Sequence, residues 1–191
     1  MSALTLRLAQ ILGLIGAAAS VATIYATPAE GLPKLGCAIH AMDCSVALTS
    51  QFSKVGGIPL GVFGLSYFVF WSLNLHAFRR TGDPVYRWSF SWITIMGAVV
   101  SLTLGTIMFF VLRAPCFYCF IIHLTNIGAV LLLWPTMQFK SAGAPSQDNL
   151  WHFATLTTIA LLAAIALALA ADNRNLRAKL IDFQRPSKTL F

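Results

Sequence analysis

Charged side chains are scarce in this chain. They make up 10% of its 191 residues, and only six of them are acidic, whereas hydrophobic residues make up 58%. Soluble domains carry about 25% charged residues, so this composition excludes an ordinary soluble domain and indicates an integral membrane protein. The net charge of +7 fits contact with anionic lipid headgroups. Nothing in the sequence resembles a basic, aromatic-interleaved surface for nucleic acid.

Polar stretches are short as well, and the apolar runs between them are long enough to cross a bilayer. A hydrocarbon core of about 30 Å needs roughly 20 apolar residues in a helix. Lipid-facing backbone must satisfy its own hydrogen bonds, so these runs predict an all-α integral membrane protein. The first run is longer than a typical signal-peptide core, and we expect it to be retained. Five spans are predicted, at residues 4–26, 58–78, 88–112, 117–137 and 151–171.

Lysine and arginine in the short loops predict the orientation. Arg79, Arg80 and Arg87 fall between the second and third spans, which places that loop in the cytoplasm and the loop at 27–57 outside. The cysteines then lie on or near the outer face. An odd number of spans also puts the tail at 172–191 outside, although its basic charge opposes this.

Cysteine is rare too, and the four residues form two unlike pairs. Cys116 and Cys119 form a Cys-x-x-Cys motif at a predicted helix start, on one helical face and within reach of a disulfide. Because a helix start carries partial positive charge, it favours a thiolate, and we expect the pKa of Cys116 to be lowered. Cys37 and Cys44 lie in the outer loop. A continuous helix would hold them about 10 Å apart, so the segment must bend if they are to pair.

Several interpretations of these cysteines are open. Two redox-active pairs would form an electron relay, and disulfides persist in an oxidising compartment. Two static disulfides would instead belong to a membrane structural or assembly protein, and a reductase would use the same pairs in reverse. Zinc would need Cys37 and Cys44 as a half-site, but six residues separate them and an apolar helix start suits a structural metal poorly. We therefore favour the relay and expect no metal.

The combined motifs resemble the bacterial branch of the vitamin K epoxide reductase family. The resemblance covers about residues 30–135 and the helix before them. It implies a four-helix bundle around a quinone pocket, here with a fifth transmembrane helix. We divide the chain into a catalytic core at 1–137, a loop and fifth helix at 138–171, and a basic tail at 172–191. The matching residues are Cys37-x6-Cys44-Ser45, Ser50, Gly57-Ile58-Pro59 leading into Phe63-Gly64, and Cys116-Phe-Tyr-Cys119 with His123.

The resemblance also implies a reaction that supports disulfide formation outside the cytoplasm. A reduced thioredoxin-like protein would give two electrons to the loop pair, and these would pass through the Cys-x-x-Cys motif to ubiquinone or menaquinone. Cys37 would meet the partner, Cys44 would exchange with Cys116, and Cys119 would face the quinone ring. About 20 residues follow the fifth span, with no cysteine, so we expect a separate partner protein. The expected location is the inner membrane, with the active face toward the periplasm or exterior.

Three further residues are expected near the quinone. Phe63 belongs to the matching motif. Ser50 could orient a thiolate or a quinone carbonyl, although serines in loops also cap turns. His123 lies four residues after Cys119 on the same helical face, and could donate a hydrogen bond or a proton to a quinone oxygen; the alternative is a histidine bonded within the bundle. Vertebrate members carry an asparagine and a tyrosine where this chain has Leu60 and His123, so we expect simple quinone reduction.

Overall fold

A computed structural model describes most of the predicted core. The described residues are 2–26, 44–137 and 139, together with Trp151 and the pairs 154–155, 158–159, 162–163, 165–166 and 169–170. Cys37, the first part of the outer loop and the basic tail lie outside them. The described positions between 151 and 170 are helical, but the fifth span is described only in part and stays a prediction.

Four long apolar helices confirm the prediction of an all-α membrane protein. Each is long and apolar enough to cross a bilayer, and they are the four that the described part of the chain contains. A π-helical turn at Ile107–Val111 extends the third of them, and a 3-10 turn at Trp134–Thr136 follows the last. The α-helices are α1 at Ala3–Ala26, the short α2 at Cys44–Thr49, α3 at Leu60–Thr81, α4 at Pro84–Thr106 and α5 at Phe117–Leu133.

The four long helices pack as a closed ring. Helix α1 contacts α3 and α5, and α4 contacts the same two helices from the other side. Trp71 of α3 is fully buried, and its indole Nε1 donates to Thr94 Oγ1 of α4 at 2.7 Å. One end of the ring is closed by an apolar cluster of Leu6, Ala9, Trp71, Leu75, Phe90, Ala129 and Leu133.

Small residues bring α1 and α3 into close contact. A Cβ on Gly61 of α3 would lie 2.9 Å from the backbone oxygen of Ser20 in α1, and a Cβ on Gly16 would overlap the ring of Phe68. Apolar surface alone does not drive helices together in lipid, so close approach at small residues is a main source of their attraction.

The turn between α3 and α4 is tighter than the sequence predicted. Gly82 ends α3 in the left-handed conformation, and its N–H donates to Phe78 O at 2.8 Å. Asp83 caps α4 by accepting from the N–H of Val85, and Pro84 occupies the first helical turn. Helix α4 therefore begins four residues before the predicted 88. The arginines expected in a loop lie in helix ends instead, with Arg79 and Arg80 in the last turn of α3 and Arg87 inside α4.

At the opposite end, a small hairpin leads from α2 into α3. Strand β1 at Lys54–Val55 pairs antiparallel with β2 at Ile58–Pro59, after a 3-10 turn at Gln51–Ser53. Gly56 and Gly57 join the strands with φ of 59° and 84°. Two successive positive φ angles suit a two-residue hairpin turn, which glycine adopts without steric cost.

Candidate functional site

The three cysteines that the structure describes lie together next to the α4–α5 connection. Cys44 is the first residue of α2, and Cys116 is the N-cap of α5 with an extended backbone. Both side chains are fully buried, in a cluster with Ala47, Leu48 and Met108. Cys119, one turn into α5, packs against this cluster and is partly buried. Helix α5 thus starts at the Cys-x-x-Cys motif, as predicted.

The connection that positions Cys116 is short. After the π-helical turn, Arg113 adopts a φ of 50°, and the chain reverses into α5 within a few residues. This reversal returns Cys116 to Met108, whose Sδ accepts from the Cys116 N–H at 3.3 Å. A backbone donor at the helix start is therefore already bonded inside the protein.

Cys116 is hydrogen-bonded to the other two described cysteines, Cys119 and Cys44. Its thiol donates to Cys119 and accepts from Cys44. The pKa of Cys116 is raised well above its ordinary value, first because its proton is held in the bond to Cys119 and then because the side chain is buried. The expectation of a lowered pKa from the helix start is wrong for this residue, because those two effects outweigh the helix end.

An apolar cavity of about 360 Å³ begins where this sulfur cluster ends. Cys119 lines it, whereas Cys44 and Cys116 do not. The sulfurs are thus ordered from Cys44 through Cys116 to Cys119 and the cavity wall. Most other lining side chains come from α3, α4, the π-helical turn and α5, including Leu60, Phe63, Tyr67, Phe68, Met96, Val100, Leu104, Met108, Ile122 and His123.

All three residues expected near a quinone line this cavity. Phe63 forms part of the apolar wall. The Ser50 hydroxyl donates to Ala47 O at 2.9 Å, which caps the turn and leaves the oxygen able only to accept a further bond. His123 has a buried Nδ1 with no hydrogen-bond partner in the described part of the chain. The alternative of a histidine bonded within the bundle is not what the structure shows for this atom.

Polar residues that the sequence did not point to also line the cavity, and three of them lie on α3, α4 and α5. Tyr67 of α3 reaches it past Gly97, where a Cβ would overlap the phenol. Ser101 of α4 and Asn126 of α5 lie on the wall and bond to each other. A signal for Asn126 was available, since it lies seven residues after Cys119 and shares its helical face.

The cavity wall fits the kind of group that the family resemblance implies. A quinone combines an apolar ring and tail with two polar oxygens. The wall is largely apolar, and two of the side chains that line it, His123 and Asn126, each carry a buried polar atom (Nδ1 and Oδ1) without a partner among the described residues. Buried polar atoms are normally bonded, so these two suit a ligand with polar groups. Among the described residues, no group of three or more His, Cys, Asp or Glu side chains is placed to hold a metal ion.

The fold and the site define a multi-pass membrane protein with a buried set of sulfurs that meets an apolar, ligand-sized cavity. A family model described as the vitamin K epoxide reductase family matches residues 7–134, which is about two thirds of the chain. The chain belongs to this family, and the family implies a membrane thiol-disulfide oxidoreductase that is linked to quinone. No curated protein and no solved structure matches the chain.

Proposed function

We propose that this protein oxidises a thioredoxin-like partner and passes the electrons through its four cysteines to ubiquinone or menaquinone. The observation that carries the proposal is the order of the sulfurs, from buried Cys44 through Cys116 to Cys119 at the cavity wall. An inert pair of disulfides would not require a ligand-sized cavity beside one sulfur. Family membership supports the same reaction class.

The relay balances in electrons and protons. The partner's two thiols become a disulfide as the Cys37–Cys44 disulfide becomes two thiols. Cys44 then attacks Cys116 in the Cys116–Cys119 disulfide, and Cys119 leaves. Cys37 next attacks Cys44, which restores the loop disulfide and releases Cys116. The final dithiol at Cys116 and Cys119 gives two electrons and two protons to the quinone, which supplies the electron sink of the cycle.

The hydrogen bonds of Cys116 fit this order. A thiol that donates to Cys119 favours negative charge on the Cys119 sulfur, which is the sulfur that lines the cavity. Because the pKa of Cys116 is raised, its sulfur should take up a proton as it leaves Cys44 and then remain a neutral thiol. The charge is thus kept next to the acceptor, while the inner sulfur stays neutral in its apolar surroundings.

We further propose that the sulfur end of the bundle faces the periplasm or exterior of an inner membrane. The arginine end supports this orientation, since Arg79 donates to Gln10 of α1 and Arg87 donates to Thr136 O at 2.7 Å. These bonds hold Arg79 and Arg87 at the end opposite the sulfurs, and the positive-inside rule assigns such arginines to the cytoplasmic side. The donor is proposed to be a separate thioredoxin-like protein that meets Cys37.

The test separates the two halves of the relay. Purified Cys37→Ala protein should fail to accept electrons from a reduced thioredoxin-like donor, because the partner's entry sulfur is gone. Cys119→Ala protein should still take one pair of electrons from the donor into the Cys37–Cys44 disulfide, but quinone reduction should stop, because the Cys116–Cys119 disulfide that accepts electrons from the loop pair cannot form. Absorbance of the quinone and mass spectrometry of the redox state of Cys37 and Cys44 give the two readouts. A static structural protein would show neither reduction of the loop pair by the donor nor turnover.

A further inference from the structure

A buried amide lies deep in the cavity, and the relay described above does not use it. Asn126 of α5 and Ser101 of α4 are each only 4% exposed, and both line the cavity. Asn126 Nδ2 donates to Ser101 Oγ at 2.7 Å. The other amide atom, Oδ1, is buried without a hydrogen-bond partner among the described residues. Leaving a buried acceptor unpaired costs its desolvation free energy, so this atom needs an explanation.

A second buried asparagine also has an unpaired amide oxygen, so the argument for a ligand contact depends on whether the side chain lines the cavity. Asn74 of α3 is fully buried, donates to Phe70 O at 2.9 Å and also has an Oδ1 without a partner in the described part of the chain. It does not line the cavity. Asn126, in contrast, follows Cys119 at i+7 and His123 at i+3, so the three form one stripe along the face of α5 that borders the cavity.

We propose that Asn126, held by Ser101, is a second polar contact for the quinone ring and that its amide can serve both redox states of the ligand. This inference rests on the proposed function. His123 and Asn126 are one turn apart on α5, with a Cβ separation of about 5–6 Å. Side chains that diverge from these two positions can place their polar atoms far enough apart to reach the two oxygens on opposite sides of one ring.

The chemistry of the amide matches the change in the ligand. When Cys116 and Cys119 form their disulfide, two electrons and two protons leave the thiols and the two ring carbonyls become hydroxyls. A carbonyl only accepts a hydrogen bond, whereas a hydroxyl also donates one. With Nδ2 bonded to Ser101, Asn126 Oδ1 can accept from a hydroxyl. After a half-turn of the amide, the Ser101 hydroxyl donates to Oδ1, and Nδ2 can donate to a carbonyl.

The test measures binding in states that cannot turn over. Oxidised full-length protein is titrated with a short-chain ubiquinone, and reduced full-length protein with the corresponding quinol. Asn126→Leu should weaken both equilibria by about tenfold, the size expected for loss of one buried hydrogen bond. The matched control Asn74→Leu removes a similarly buried amide away from the cavity and should leave both affinities unchanged.

A pair of variants at Ser101 keeps the test decisive if Asn126→Leu does not fold. Ser101→Thr keeps a hydroxyl for the amide and should retain both affinities, whereas Ser101→Ala should weaken them. Equal affinities in the Thr and Ala variants, or equal effects of the Asn126 and Asn74 variants, would overturn the inference while the quinone reaction stood. A wild-type protein that neither binds nor reduces the quinone would instead refute the proposed function.

Discussion

Opposing effects act on the pKa of the Cys116 thiol. The start of α5 favours a thiolate, but the side chain is fully buried and its proton lies in a bond to Cys119, so its pKa is raised. The sequence could predict the helix start but not the outcome, because burial and the bond to Cys119 depend on how the α4–α5 connection folds back on Met108.

The raised pKa predicts how Cys116 reacts with pH. A raised pKa keeps the thiol protonated at pH values where a free cysteine, with a pKa of about 8.5, already ionises. Alkylation of Cys116 in the reduced protein should therefore accelerate only at more alkaline pH. In Cys119→Ala protein the main cause of the shift is absent, so the same rise should occur at lower pH. Mass spectrometry of timed alkylation would reveal this, and identical pH profiles in both proteins would contradict the assigned cause.

His123 gives a second prediction at the scale of single residues. The His123 side chain lines the cavity and its Nδ1 has no hydrogen-bond partner among the described residues, so His123→Leu should reduce quinone turnover by about 100-fold, in line with loss of a general acid or hydrogen-bond donor. Exchange between the donor protein and the cysteines should be unaffected. His76→Leu, an exposed position near the other end of α3, serves as the control. Turnover in the His123 variant within twofold of wild type would remove this residue from the mechanism.

At the scale of helices, the close contact between α1 and α3 should be sensitive to one methyl group. Gly61→Ala would place a Cβ 2.9 Å from a backbone oxygen of α1, which cannot move aside as a side chain can. We expect a loss of about 1–3 kcal/mol in the free energy of unfolding, typical of overpacking. Gly128→Ala is the control, since its Cβ would lie 3.7 Å from Leu12 Cδ1, an ordinary contact. Thermal unfolding of the purified proteins compares them, and equal melting temperatures would contradict the packing argument.

The helices also show what hydrophobic runs can and cannot predict. The four core spans were found because length and apolar character decide membrane crossing. The start of α4 was predicted too late because Asp83 and Pro84 begin the helix before the apolar run begins. The six-residue α2 was not expected at all, since a helix this short depends on packing around Cys44 rather than on its own sequence. The wall of the cavity needs the helix pairing in α3, α4 and α5, which a single sequence does not give.

For the molecule as a whole, the proposed orientation in the membrane decides whether Cys37 can meet a donor outside the cell. A membrane-impermeant maleimide added to intact, reduced cells should label Cys37 when it is the only cysteine. A cysteine introduced at exposed Thr81, in a background without the native four, should be labelled only after permeabilisation. The reverse pattern would overturn the positive-inside assignment and the argument from an oxidising compartment.

Burial of Cys44 and Cys116 also determines which thiols outside the membrane can use the protein. Neither sulfur exposes surface to solvent. A small diffusing thiol such as glutathione therefore meets protein atoms at these two positions. Under the proposed relay, electrons enter at Cys37 and reach Cys44 only by exchange within the protein, so the entry cysteine separates the inner sulfurs and the cavity from soluble thiols.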